Sequence, residues 1–536
     1  MRALAILLLL VCTSAWSAPV SWQGVDRIVA IGDVHGAYDA LITLLQSAGL
    51  IDGDGNWSGG SAHLVSLGDL LDRGAESKQV VDLLIGLQQQ APGSGGMVHV
   101  LLGNHELMNL TNDLRDVSPA EFESYGGIEG HRELFALSGA YGKWLAERPP
   151  MLRINATVFV HGGLPAGVAE LGIEQTVTTF EDQLHTVLNL GPRLASEGLI
   201  APDADWISAA FDAPDEAGQT DDQAAWIAAA KHELLGANGP LWYRGTAACH
   251  ALIEQPRLDH ALQALNAERV VVGHTPTTSR EITRRLNGQA YVIDTGMLAA
   301  VYKGNPRALE ITAAGLRALG PDGEQTIVPA SPEDPTATLT TAGFDSAYES
   351  GQGQELTFTD NGLKAEFLAM NERDAQRAVA AFRLDRHLGL NMVPATVMRT
   401  IDGRTGIVLA KPGQYMSERS RQEGGYSRPN YCETGSDFHL LAAYDALIGK
   451  RDRGLDDLLY NRRDWGIRIV DNHTAFSSQS RLPTYTQTPT LAPLLAERLR
   501  ALNADVLETL LQDLVSPRTQ RAILKRRDAI LTWPRA

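Results

Sequence analysis

Cysteine is scarce: the chain has three in 536 residues. One of them, Cys12, lies in the apolar N-terminal run, where the bulky Val11 before it argues against lipid attachment. The other two, Cys249 and Cys432, fall in different candidate domains, and a compartment that permits disulfides does not require them. A free buried thiol is therefore expected at each. Positive charge is also in deficit, with 46 Lys and Arg against 64 Asp and Glu, for a formal charge of −18. That balance excludes nucleic acid or an anionic membrane surface as a bulk partner. Any site for an anion must be made locally positive by metals or arginines. Beyond the first residues no apolar run approaches the roughly 20 residues needed to cross a bilayer.

The N-terminus has its own pattern. Met1-Arg2 gives a positive start, Ala3 to Val11 an apolar run, and Ala15 and Ser17 small residues before Ala18-Pro19. This is the layout of a secretory signal peptide over residues 1–17, so the mature chain is expected to be exported, periplasmic or secreted.

The length favours two domains. From residue 27 to about 312, short β-branched runs end in glycine and a polar residue. Arg27–Ile31 precedes Gly32-Asp33, His63–Leu67 precedes Gly68-Asp69, and Met97–Leu102 precedes Gly103-Asn104. Thr157–Val160 precedes His161, Arg269–Val272 precedes Gly273-His274, and Tyr291–Ile293 precedes Asp294-Thr295-Gly296. Helical patterns at Tyr38–Ala48 and Glu76–Gln90 lie between some of them. Strands alternating with helices predict an α/β sheet with its chemistry on one rim. Residues 165–240 show helical patterns without strand–glycine signals and are expected to form a cap or insertion within a domain of residues 18–320. Pro329, Pro332 and Pro335 mark residues 321–354 as a linker. Residues 355–536 form a second α+β unit, with helices expected over Gln376–Leu388 and Pro493–Leu514.

Asp33-x-His35 puts two donors on one side of an extended strand end. Asp69 has two carboxylate oxygens and can bridge two cations; Asn104 offers an amide oxygen, and His161 and His274 offer ring nitrogens. This oxygen and imidazole set suits Mn, Fe or Zn. Two adjacent cations would stabilise attacking and leaving oxygens in a phosphoryl displacement and generate hydroxide near neutral pH.

Gly32-Asp33-Val34-His35-Gly36, Gly68-Asp69-Leu70-Leu71-Asp72-Arg73-Gly74, Gly103-Asn104-His105-Glu106, His161-Gly162-Gly163 and Gly273-His274-Thr275 together resemble the calcineurin-like metallophosphoesterases. Asp72-Arg73-Gly74 and Asn104-His105-Glu106 are similar to the phosphoprotein phosphatase branch. Leu107–Arg115 with Trp242-Tyr243-Arg244-Gly245 resembles its Shewanella-like members. The resemblance spans residues 25–315 and implies a β-sandwich flanked by helices. It implies Asp33, His35 and Asp69 on one metal, and Asp69, Asn104, His161 and His274 on the other. It also implies His105 as general acid oriented by Asp72, and Arg73 and Arg244 as phosphate-binding residues. The implied activity is hydrolysis of phosphomonoesters, with a phosphorylated protein or peptide as substrate. A phosphodiesterase or nucleotide pyrophosphatase on the same core is the alternative.

In the second unit, Ala378–Asp385, Gly389–Pro394, Asp452–Tyr460 and Ile469-Val470-Asp471 resemble atypical, lipid-kinase-like or secretory-pathway kinases. Asp452 and Asp471 match the two aspartate positions of that pattern. Leu368, Ala378 and Asp457 stand where the resemblance calls for Lys, Glu and Asn, which implies a pseudokinase with a recognition or regulatory role.

Overall fold

A computed structural model describes residues 19–213, 219–328, 335–350, 353–411, 415–428, 431–432, 435–462 and 465–535. The expected signal peptide lies outside the described residues. Among the described residues the first unit holds twelve strands: β1 (Ser21–Trp22), β2 (Arg27–Ile31), β3 (His63–Ser66), β4 (Met97–Val100), β5 (Met151–Ile154), β6 (Thr157–Val160), β7 (Arg269–Val272), β8 (Thr283–Arg285), β9 (Ala290–Val292), β10 (Ala308–Thr312), β11 (Gly315–Leu319) and β12 (Gln325–Ile327). They form two six-stranded sheets, ordered β12-β11-β10-β2-β3-β4 and β1-β5-β6-β7-β9-β8.

Side-chain alternation along each strand explains the layering. Ile28 and Ala30 of β2 join Val65, Phe159, Val271, Tyr291 and Leu309 in the core between the sheets. Val29 and Ile31 face the other way, into a core shared with α1 (Tyr38–Ser47) and α2 (Ser77–Gln90). On the opposite sheet Val158, Val160, Val270 and Val272 pack outward against Leu258, Ala261 and Leu262 of the helix Ala251–Ala264. Strands buried on both faces must be apolar throughout, which is why they read as continuous β-branched runs. The fold is thus an αββα sandwich. β2, β3 and β4 are parallel and joined through α1 and α2, so their polar C-terminal tips emerge on one rim. The tips of β6, β7 and β9, also parallel, contribute to the same rim from the second sheet.

Residues 165–240 contain the helices Ala166–Leu171, Ile173–Ser196, Ser208–Phe211 and Asp221–Ala230. Phe180, Leu184, Val187 and Leu188 bury one face of the longest, at helical spacing. The residues expected to form a linker are divided between the units: β12 extends the first sheet, while the helix Thr336–Thr341 and β13 (Phe344–Ser350) belong to the second.

The second unit continues with β14 (Gly353–Phe358), β15 (Lys364–Ala369), β16 (Thr396–Ile401) and β17 (Arg404–Ala410). These pair antiparallel as β13-β14-β15-β17-β16, beside a small sheet of β18 (Tyr415–Ser417), β19 (Leu458–Asn461) and β20 (Ile467–Ile469). The helix Glu372–Leu388 starts where the Asn371 side chain accepts the Asp374 N–H and stops at Gly389, φ 66°. The single helix expected over Pro493–Leu514 is two, Pro493–Ala501 and Ala504–Leu511. Asn503 turns its side chain onto the Val506 N–H, capping a new helix instead of continuing the old one.

The expectation of free thiols at Cys249 and Cys432 is overturned. The two are bonded in a disulfide with Cα atoms 5.5 Å apart across 183 residues of sequence, tying the first unit to the second. His250 adds a ring-nitrogen contact of 2.6 Å to the Leu390 carbonyl, and Leu252 packs into the second unit's core.

Candidate active site

The rim gathers all six expected ligands, each at most 5% exposed. His35 Nε2 lies 3.9 Å from Asp33 Oδ2 and 3.8 Å from Asp69 Oδ2. His161 Nε2 lies 3.2 Å from Asp69 Oδ1 and 3.0 Å from Asn104 Oδ1. His274 joins Asp69 and His161 with ligand atoms within 4.8 Å of one another, and a second such cluster is His35, Asp69 and His105. Asp69 belongs to both, with one oxygen toward each.

Tight backbone makes this convergence possible. His35, Asp69, Asp72, Arg73 and His274 all have left-handed φ, between 49° and 69°. A Cβ at Gly103 would sit 2.3 Å from the Asp69 carboxylate, and one at Gly273 2.5 Å from that of Asp33. Glu106 braces the turn, its carboxylate accepting the N–H groups of Asp69, Leu70 and Gly103 at 2.7–2.8 Å. Burial pushes Glu106 up to about 7.

Hydrogen bonding at the rear of each ring shows what the front lacks. His161 Nδ1 donates to the Leu67 carbonyl at 2.9 Å, and His35 Nδ1 to that of Leu71 at 2.8 Å. His161 Nε2 faces the Asp69 carboxylate and the Asn104 amide oxygen, both acceptors, whereas His35 Nε2 faces the Asp33 and Asp69 carboxylates and the Arg73 guanidinium. Burial holds His35 down to about 3, so its ring is neutral. His274 Nε2 is buried without a partner among the described residues. Burial, then the carboxylates of Asp294 and Asp69, raise Asp33 well above the usual range. Asp69 is held well below it: burial acts upward, but His161 and then His105 outweigh it. Two buried carboxylates, an amide oxygen and ring nitrogens converging on one spot make a costly arrangement that two cations would relieve. The residues fit a binuclear metal centre.

His105 opens the helix α3 (Asn104–Leu110), its N–H donating to Asp69 Oδ1 at 3.0 Å. Its Nδ1 is 2.6 Å from Asp72 Oδ2. Asp72 Oδ1 accepts from Asn109 Nδ2 at 2.9 Å, and Asn109 Oδ1 is 2.7 Å from His131 Nε2. The Nε2 of His105 thereby points toward Asp69 and Asp116, 3.9 Å from each. Burial opposes charge on this ring, but Asp69 and Asp72 prevail and raise its pKa. The Arg73 guanidinium lies 3.0 Å from His35 Nε2 and 3.5 Å from Asp116, and bonds to the Tyr302 hydroxyl. Arg244 Nη1 donates to the His274 carbonyl at 2.6 Å and to Thr275 Oγ1 at 3.1 Å.

Asp294, Asn109, His131 and Tyr302 are among the participants to which the sequence assigned no role. Asp294, at a strand tip, hydrogen-bonds Asp33 and is pushed by burial up to about 6. Its position in the strand–glycine pattern was the available signal. Asn109 lies within the Leu107–Arg115 stretch, but His131 and Tyr302 carry no signal, because the contacts that enlist them form only on folding. In the second unit Lys450, its side chain fully buried, places Nζ 3.0 Å from Asp452 and 3.1 Å from Asp471. It also donates to Thr474 at 2.8 Å.

Fold and metal-ligand clusters together define a metal-dependent phosphoesterase. Residues 26–277 match the model of the calcineurin-like phosphoesterase family. The chain is 30% identical over 331 residues to Shewanella-like protein phosphatase 2 of Arabidopsis thaliana, covering 53% of this chain and 75% of that protein. It is 28% identical over 293 residues to Shewanella-like protein phosphatase 1 of Plasmodium berghei, covering 54% and 71%. Among solved structures, a cold-active protein-tyrosine phosphatase of a psychrophilic Shewanella species is 28% identical. It covers 58% of this chain and 83% of its own, with a TM-score of 0.47. The chain belongs to the calcineurin-like phosphoesterases and is related to the Shewanella-like phosphatases among them.

Proposed function

We propose that the chain hydrolyses phosphomonoesters, with phosphorylated proteins or peptides as its substrates. The observation that carries the reading is Asp69, shared between two histidine clusters beside a His105–Asp72 pair. Two cations, when bound, supply charge stabilisation on the phosphoryl oxygens and acidify water; Mn, Fe and Zn all suit the donor set. Asp33, His35 and Asp69 would hold one, and Asp69, Asn104, His161 and His274 the other. Asp72 holds the Nδ1 proton of His105, leaving Nε2 to carry the proton that the departing alkoxide needs. Arg73, beside His35, and Arg244, on the His274 carbonyl, flank the ligands and supply the local positive charge that a phosphate dianion requires.

Export is part of the proposal, supported by the N-terminal pattern and by the Cys249–Cys432 bridge, a bond favoured in oxidising compartments. The second unit is proposed to be a kinase-like module without phosphotransfer. Lys450 places a cation of the chain itself between Asp452 and Asp471, the two carboxylates that the resemblance would assign to catalysis and magnesium.

The test is turnover of phosphotyrosyl and phosphoseryl peptides, a bis-aryl phosphodiester and a dinucleoside tetraphosphate with added Mn. Monoesters are expected to be cleaved. Hydrolysis of the diester or the tetraphosphate without any monoester would reverse the assignment. Titration of the full chain with Mg-ATP is expected to show no saturable binding; binding abolished by Asp471→Asn would sink the pseudokinase reading.

A further inference from the structure

The disulfide does more than join two units. Cys249 ends a single helical turn, Gly245–Ala248, which begins directly after Arg244. Its partner Cys432 directly follows Tyr431. The bridge therefore brings Tyr431, from the second unit, onto Arg244, from the first. The guanidinium carbon lies 5.0 Å from the centre of the tyrosine ring, and Cys249 Sγ lies 3.3 Å from the Tyr431 carbonyl oxygen.

Arg244 is well held from behind. Among the described residues both its hydrogen bonds come from Nη1, to the His274 carbonyl and the Thr275 hydroxyl, so it borders the metal-ligand clusters directly. The turn that carries it is fixed by Arg285, which donates to the carbonyls of Thr246 and Cys249 at 3.2 and 2.6 Å. Tyr431 is a large side chain left 36% exposed. An aromatic face against a guanidinium is attractive and also limits the cation's freedom. A ligand reaching Arg244 with its phosphoryl group would bring its alcohol portion alongside this ring.

We infer that Tyr431 is a specificity-determining residue: the second unit supplies an aromatic wall beside Arg244, selecting phosphate monoesters whose alcohol portion is aromatic, such as phosphotyrosyl peptides, over small alkyl phosphates. The inference rests on the phosphomonoesterase reading for its substrate class, and on the disulfide for its geometry. Contact of substrate with an exposed ring improves binding without touching the reacting atoms, so the effect belongs in KM.

The experiment uses the full oxidised chain and its Tyr431→Ala, Tyr431→Phe and Cys432→Ser variants. Steady-state kinetics compares a phosphotyrosyl peptide with glycerol phosphate, and calorimetry compares phenylphosphonate with methylphosphonate. In Tyr431→Ala the aryl-over-alkyl ratio of kcat/KM is expected to fall about threefold to tenfold, carried by KM, the range of a partly exposed aromatic contact. Tyr431→Phe is expected to keep the preference, because the ring face remains. Cys432→Ser is expected to lose it, because the tether is gone. Equal changes for both substrates, or a loss carried by kcat, would overturn the inference. If the wild-type chain cleaves no monoester, the phosphatase reading falls by itself. The two phosphonates then decide on Tyr431: a phenyl preference lost in Tyr431→Ala sustains it, and equal affinities overturn it.

Discussion

Replacing Asp72 with asparagine is the sharpest probe of the proton path, because the substitution keeps size and removes charge. Asp72 is 1% exposed and accepts two donors at once, His105 Nδ1 at 2.6 Å and Asn109 Nδ2 at 2.9 Å. An amide has one oxygen, so in the variant its NH2 must face one of those donors. Asn109 cannot easily turn, because its oxygen lies 2.7 Å from His131 Nε2 and its NH2 also donates to the His105 carbonyl at 2.8 Å. The conflict is relieved at His105, whose Nδ1 gives up its proton and accepts from the amide. The ring is then neutral and a poor acid. A hydrogen bond to a charged group contributes about 1.5–3 kcal/mol, so loss of this one predicts about a 10- to 150-fold fall in kcat where the leaving oxygen needs a proton. The assay is a leaving-group series, from alkyl phosphates to electron-poor aryl phosphates. The loss should be large for alkyl esters and vanish for aryl esters whose phenolate departs unprotonated. With the raising influence of Asp72 removed, the alkaline limb of the alkyl-ester profile should move to lower pH. An equal loss across the series, or full activity on alkyl esters, would refute the role given to His105.

Further outcomes follow from the same geometry. Chelation should abolish turnover and lower the unfolding midpoint by about 5–15 °C, the range for losing a ligand bound well above its Kd; an unchanged midpoint would contradict the fit of the buried carboxylates and lone pairs to cations. Asp385 is fully buried, and burial pushes its carboxyl up to about 7 although the Met392 N–H bonds to it. With an unfolded value of about 4, its contribution to stability is complete below that pH and is lost as pH rises through about 7. Asp385→Asn should therefore flatten the decline in thermal midpoint between those limits, and equal slopes would count against it. Thiol titration of the denatured chain should find Cys249 and Cys432 unreactive until reductant is added; a free thiol at either of them beforehand would remove the bridge.

Much of the first unit was legible because its signals are local. A strand buried on both faces must be apolar at every position, and a strand that ends at a metal site must turn sharply onto a polar residue. Asp33, Asp69, Asn104, His161 and His274 each sit at such a tip, and the structure brings those tips to one rim. The end of the helix at Leu388, before Gly389, was equally local, whereas its start lies at Glu372, ahead of the expected Gln376. What tertiary structure alone decided lies between residues far apart in the chain. Nothing near Cys249 or Cys432 signals a partner 183 residues away. Asn109 and His131 become a relay only when α3 packs on the helix Gly127–Phe135, and Lys450 meets Asp471 only across the turn after β20. Asn503 ended a helix that periodicity alone would continue, because a side-chain cap competed with the next turn. Sequence periodicity records which face of an element is buried; which elements face one another is set by packing, and the Arg244–Tyr431 contact exists at that level only.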